Sequence, residues 1–312
     1  MFRRLRRHTP SALLMLLSAC GLIRCTPDPL DPGAIKALYA EPLTPPSGPM
    51  AVYHIGHSLV GRDMPAMLAQ MAGDGHSYES QLGWGAELKS HWEPDVEVRG
   101  FETENNHPRY RDAHDAVGSG NYGAVVMTEM LEIRDAIEYH DPWDYASRFA
   151  MKAWRSNPDT RVYLYETWHH LDDPEGFLTR IDRDLGLYWE GEILDRALNA
   201  KGMDGRAIYV IPGGQVMGRL TRVLEETGGV EGLEKIDALF SDEIHFNDLG
   251  AYLIALTHYA VLYHRDPTGL PHELLKAEGT PAEAPSAEAA ALMQKVVWEV
   301  VTGSARTGVR AE

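Results

Sequence analysis
The chain has 312 residues, 44% of them apolar, enough for one large α/β domain or two small ones with a buried core. Its 46 acidic residues face 29 basic ones, and the resulting charge of −17 repels nucleic acid and anionic membrane surfaces. Two cysteines, Cys20 and Cys25, argue against a disulfide framework.

In chain order, MFRRLRRHTPSALLMLLSAC combines four arginines, a short apolar run from Ala12 to Leu17 and then small residues, the pattern of an export signal. The run is too short to span a bilayer. Its end, LSAC at Leu17 to Cys20, resembles the lipobox of bacterial lipoproteins. That resemblance implies a signal peptide over residues 1–19 and lipid on Cys20; the alternative is a plain signal cut near Ala19. Loss of residues 1–19 leaves 46 acidic against 25 basic residues, so membrane attachment is expected through the N-terminal lipid rather than a basic patch. Gly21, where an aspartate could follow Cys20, favours the outer membrane, or a periplasmic face, in an organism that has one.

Residues 20–49 are proline-rich and without sustained periodicity, and read as a tether. A domain is expected over 50–265, where the short β-branched or aromatic runs AVYHIG, YGAVVMTE, RVYLYETW and AIYVIP alternate with helical patterns. The helix candidates are Met64 to Met71, Asp144 to Trp154, Glu175 to Ala200 and Val216 to Glu226. A further one follows His245, with Asn247 or Asp248 as its cap. This alternation predicts an α/β fold with a central parallel sheet covered on both faces and functional residues at the carboxyl ends of the strands. Residues 266–312 read as a linker and one last helix.

Two places in this framework carry chemistry. Ser58 stands where the first apolar run stops and an amphipathic one begins. There a serine serves either as a helix cap or as a nucleophile, and a nucleophile needs a base within hydrogen-bond reach, usually oriented by a carboxylate. Near the far end of the domain, LFSDEIHFNDLGAYLIA sets Asp242 three residues before His245. A D-x-x-H turn can bring the carboxylate to the imidazole while the second ring nitrogen points outward. In isolation the same spacing describes a solvated aspartate and a loop histidine; paired with a serine after the first strand, it describes a triad.

With IGHSLV, Gly56 to Ser58, at one end and DEIH, Asp242 to His245, at the other, the chain resembles the SGNH hydrolases, also called GDSL esterases and lipases. The resemblance spans about Val52 to His264. It implies a three-layer α/β/α flavodoxin-like sandwich and a Ser-His-Asp triad of Ser58, His245 and Asp242. The α/β-hydrolase elbow G-x-S-x-G is absent, since Val60 stands two residues after Ser58.

The family's oxyanion hole draws on the serine amide, a glycine amide after the second strand and an asparagine side chain. The first falls on Ser58. For the glycine, QLGWGAELKSHW offers Gly83 and Gly85, of which Gly85 precedes a helix and is preferred. The asparagine block is missing: the third site reads AVVMTEMLEIRD, with Thr128 and Glu129 at the strand end. An ionised Glu129 would oppose an oxyanion, so it fits there only protonated or turned away. Thr128 is the expected third donor, with Asn105 and Asn106 as loop alternatives, and the chain resembles a subset of SGNH-like proteins without the asparagine. His57 replaces the family's aspartate or asparagine and is expected to anchor the nucleophile turn. His57, Trp84, Glu129, Trp168 and His169 are expected to line the substrate cleft.

No metal is expected from His54, His57, His169 and His170, whose spacings match no zinc signature, and no cofactor is implied. The expected activity is hydrolysis of a small-molecule or glycan ester, O-acetylated carbohydrate above long acyl chains because no apolar lid is evident. Acyl transfer to a sugar hydroxyl uses the same triad. The reading outside enzymology is an inactive, lipid-tethered carbohydrate-binding protein on the same scaffold.

Overall fold
Side chains alternate along a strand, so a strand buried on both faces feeds two cores. The structure, a computed structural model, describes residues 26–311. Val52, Ala124, Val126, Tyr163, Tyr165 and Ile211 enter one core, and Tyr53, Ile55, Val125, Met127, Val162, Leu164 and Val210 enter the other. These residues belong to β1 (Ala51–His57), β3 (Ala124–Met127), β4 (Arg161–Glu166) and β5 (Tyr209–Pro212), with β2 (Ser77–Gly83) beside β1. All pairings are parallel and the order is β2-β1-β3-β4-β5, with Val52 opposite Ala124, Ala124 opposite Arg161 and Tyr163 opposite Tyr209. This is the flavodoxin-like order, whose switch point lies between β1 and β3.

Among the described residues, the main helices on the sheet are α1 (Asp63–Ala72), α2 (Ala113–Ser119), α3 (Pro142–Ser156), α4 (Phe177–Asp184), α5 (Gly213–Thr227), α6 (Asp248–Tyr263) and α7 (Ala287–Gly303). Buried residues of α1, α4, α5, α6 and α7 join the Val52 core, and those of α2, α3 and a π-helical stretch, Leu185–Leu194, join the Tyr53 core. The result is a three-layer α/β/α sandwich. Helix α6 is apolar on every side, and every residue from Leu249 to Tyr263 is buried, between the sheet, α1 and α7. The single helix expected over Glu175 to Ala200 is divided into α4, the π-helical stretch and a last turn, Asp195–Leu198.

β2 is absent from the strands read in the sequence because SYESQLG is largely polar. Its buried polar groups are met by partners distant in sequence: Gln81 Oε1 accepts from the Ala113 N–H at 2.9 Å. Asn105 completes the outer edge, its Nδ2 donating to the Leu82 carbonyl at 2.8 Å and its Oδ1 accepting from the Leu82 N–H at 3.0 Å. The described part of the proline-rich stretch before β1 lies against the domain. Leu30 N–H donates to Asp195 at 2.9 Å, Tyr39 O–H to Ile208 at 2.6 Å and Leu43 N–H to Gly308 at 2.8 Å.

Candidate active site
The turn that carries Ser58 is built by the close approach of β1 and β3. A Cβ on Gly56 would stand 2.6 Å from Thr128 Cγ2, so only glycine lets the strands pack this tightly here. After His57 the chain turns back, with the Val60 and Gly61 amides donating to the His57 carbonyl at 2.9 and 3.3 Å and Gly61 at φ +59°. The buried His57 ring spans the turn. Its Nε2–H donates to the Glu129 carbonyl at 2.8 Å while Nδ1 accepts from Leu59 N–H at 3.3 Å. Burial lowers its pKa to about 4, so the ring is neutral with the proton on Nε2. His91 supports the same turn from below, donating to the Gly56 carbonyl at 2.9 Å while its Nδ1 accepts from Gln81 at 3.0 Å. Ser58 is left at the tip and caps no helix: α1 begins five residues later without a side-chain cap.

Asp242 and His245 meet through one tight turn. Asp242 Oδ1 accepts from the Ile244 and His245 amides at 2.8 and 2.7 Å, and Oδ2 accepts from His245 Nδ1 at 2.7 Å. These donors, the His245 amide foremost, hold the Asp242 pKa down at about 2. Because the carboxylate only accepts, the proton sits on Nδ1, and Nε2 is free to accept from the Ser58 hydroxyl, 3.0 Å away. The turn is clasped from outside as well. Trp168 Nε1 donates to the Ile244 carbonyl at 3.0 Å, Leu171 N–H donates to the Glu243 carbonyl at 2.8 Å, and Asn247 caps α6 through Leu249 and Gly250.

Ser58 and His245 open onto a cleft of about 500 Å³ shared with His57, Trp84, Gly85 and Glu104. Gly85 lies at φ +54°, and its amide has no protein acceptor among the described residues. Trp84 is 54% exposed at the rim and donates its indole N–H to Glu104 at 2.8 Å. Of the residues expected at this site, the structure brings together Ser58, Asp242, His245, His57, Trp84 and Gly85.

It does not bring the others to the cleft. The Thr128 hydroxyl is buried and donates to the Tyr165 carbonyl at 2.7 Å, which directs it into the sheet rather than towards an oxyanion. Glu129 is buried beside it, its carboxyl accepting from Met130 N–H at 2.7 Å and Leu88 N–H at 3.4 Å, and burial raises its pKa to about 8. Trp168 is fully buried against Phe240 and Phe246. His169 is buried with Nε2 3.3 Å from Asp184, and burial lowers its pKa to about 4. Asn105 is committed to the edge of β2. No spacing along the chain marks His91, Gln81 or the bracing role of Trp168, since each acts through a partner on another element.

Cys20 and the expected signal peptide lie outside the described residues. No helix among the described residues is long and apolar enough to cross a membrane. Among them, too, no three His, Cys, Asp or Glu side chains gather as a metal site requires.

No protein-family profile matches the sequence, and no curated protein matches it. Among solved structures, the chain is similar to a DUF4886 family protein from Bacteroides uniformis, with 15% identity and a TM-score of 0.45 over 81% of this chain and 94% of that one. It is also similar to a gut microbial diltiazem-metabolizing enzyme, with 11% identity and a TM-score of 0.38 over 72% of this chain. The match spans about half, 49%, of that enzyme's length.

Proposed function
We propose that the protein is a serine esterase of the SGNH, or GDSL, type. The observation that carries this reading is the continuous hydrogen-bonded line Asp242–His245–Ser58 at the switch point of the sheet. Ser58 Oγ attacks the ester carbonyl carbon as its proton passes to His245 Nε2. The carbonyl oxygen becomes an anion facing the amides of Ser58 and Gly85. As the intermediate collapses, the bond to the alcohol breaks and His245 returns the proton to the departing oxygen. Water, deprotonated by His245, then cleaves the acyl-enzyme and restores the Ser58 hydroxyl. Asp242 keeps the imidazole in the tautomer that accepts from Ser58 and stabilises the imidazolium once it forms. The open cleft, with Trp84 exposed at its rim, suits a short acyl group on a carbohydrate.

Hydrolysis of 4-nitrophenyl acetate by the protein and its Ser58→Ala variant tests the reading. Turnover is expected from the parent protein, with a loss of at least about 10⁴-fold in the variant. No turnover from folded parent protein overturns the esterase and turns attention to a carbohydrate-binding role for the cleft.

A further inference from the structure
A second cavity, of about 520 Å³, lies beside the cleft. The cleft takes its walls from Ser58, Leu59 and Glu104, and the second cavity continues both segments with Gly61, Arg62, His107 and Arg109. The two meet at the turn after β1, where a Cβ on Gly61 would stand 3.4 Å from the Ser58 carbonyl oxygen.

The outer wall is Ala277 and Glu278, from the loop between α6 and α7. That loop is fastened in place. Ala277 N–H donates to Asp63 at 2.8 Å, Leu275 exchanges two hydrogen bonds of 2.8 Å with Gln70, and Lys276 pairs with Asp248 at 2.8 Å. The loop is therefore tied to both α1 and α6.

The charged groups of the cavity are two arginines against one glutamate, and the Tyr78 hydroxyl is a hydrogen-bond partner of Arg109. Arg109 lies over the Tyr78 ring, 5.0 Å from its centroid, and no carboxylate of the described residues comes within 4.0 Å of it. Arg62 reaches only Glu278, at 4.0 Å, and Glu278 is 76% exposed, which makes a weak, solvent-screened pair. His107 accepts from the Arg109 amide through Nδ1 at 3.1 Å, and its Nε2 is buried with no partner. In a chain of charge −17, two guanidinium groups in one cavity with a single loosely held carboxylate are out of keeping with the rest of the surface. Guanidinium forks match planar carboxylates in pairs of parallel hydrogen bonds.

We propose that this cavity is a subsite for a carboxylate on the substrate, so that the ester cleaved at Ser58 belongs to an acidic molecule such as a uronic acid. The inference rests on the esterase reading for its connection to Ser58, but the binding it requires is measurable without catalysis. Calorimetric titration of the Ser58→Ala protein with O-acetylated glucuronic acid and with the matching glucuronamide compares the charged and neutral ligands without turnover. The acid is expected to bind about tenfold tighter than the amide. Arg62→Gln and Arg109→Gln, each added to Ser58→Ala, are expected to reduce that preference, and Arg109→Lys to retain most of it. In the active protein, each glutamine variant is expected to lower the acid-to-amide ratio of kcat/KM by about threefold. Thermal melting of each variant shows that it is folded. Equal binding of acid and amide by the parent site, or a preference untouched in both glutamine variants, overturns the subsite. Acid-selective binding without turnover of either ester removes the esterase and leaves the subsite standing; turnover without acid preference does the reverse.

Discussion

Two acidic residues lie within reach of the nucleophile turn, and their surroundings give them opposite states. Asp242 is half exposed and accepts from two amides and an imidazole, and its carboxyl is held at a pKa of about 2. Glu129 is fully buried, accepts from two amides alone, and is pushed up to about 8. Donors aimed at a carboxylate favour the charge, and burial opposes it; in Glu129 burial wins. The ionised group can steer an imidazole, whereas the protonated one joins the Leu88 and Met130 segments beneath the cleft. With its pKa raised to about 8, the glutamate after β3 is mostly protonated at neutral pH.

The sharpest way to break this contrast is to neutralise each group in turn. Asp242→Asn keeps the size of the side chain but can present an amide N–H to His245 Nδ1, which favours the wrong tautomer. A fall in kcat of about 10⁴-fold is expected, with the circular dichroism unchanged. Comparable losses from Asp242→Asn and Glu129→Gln would mean that Glu129 too acts as an ion, and the contrast would fail.

How much of this was legible in the sequence depended on how local each feature is. Ser58 follows directly from the end of β1, and the Asp242–His245 pair closes within one turn, so order and spacing sufficed to name them. The sheet was legible through four of its strands, whose apolar runs carry their own signal. β2 was not, because Gln81 becomes acceptable in a buried strand only once Ala113 and His91 supply partners from elsewhere. The facing of strand ends was also illegible. Thr128, Glu129, Trp168 and His169 all stand at carboxyl ends, where a site was expected, yet hydrogen bonds to Tyr165, Leu88, Ile244 and others turn them inward. Which side chain at a strand tip reaches the cleft is decided by register and by the neighbouring loop, neither of which is written in the strand's own residues.

Trp168 tests how far support of the acid-base turn extends beyond Asp242. Its indole N–H holds the Ile244 carbonyl, one residue from His245. Trp168→Phe retains an aromatic ring against Phe240 and Phe246 but leaves that carbonyl without its donor. A fall in kcat of about tenfold is expected from a displaced imidazole, with KM little changed, in steady-state kinetics on an aryl acetate. An unchanged kcat would confine the positioning of His245 to its own turn.

Glu129 carries the smallest effect on activity and a distinct one on stability. Its carboxyl is protonated in the fold up to about pH 8, whereas the ordinary value is 4.5. Between those values the folded state binds the extra proton, so the stabilisation is complete below 4.5 and is lost as the pH rises through about 8. Glu166, also raised to about 8 by burial, adds a second contribution of the same sign. Buried His57, His91 and His258, lowered to about 4, act in the opposite sense, but chiefly below their ordinary value of 6.5. From pH 6.5 to 8 the two glutamates therefore dominate among these groups, each contributing a decline of roughly 1.4 kcal/mol per pH unit. Glu129→Gln removes the titrating group: its oxygen can still accept the short bond from Met130, while the longer bond that the carboxyl accepts from Leu88 N–H is lost, because an amide nitrogen only donates. Urea unfolding across this range should show about half the parent slope in the variant, with turnover within a few-fold of the parent. Equal slopes would mean that Glu129 is already ionised in the folded protein, a buried negative charge held only by the Met130 and Leu88 amides.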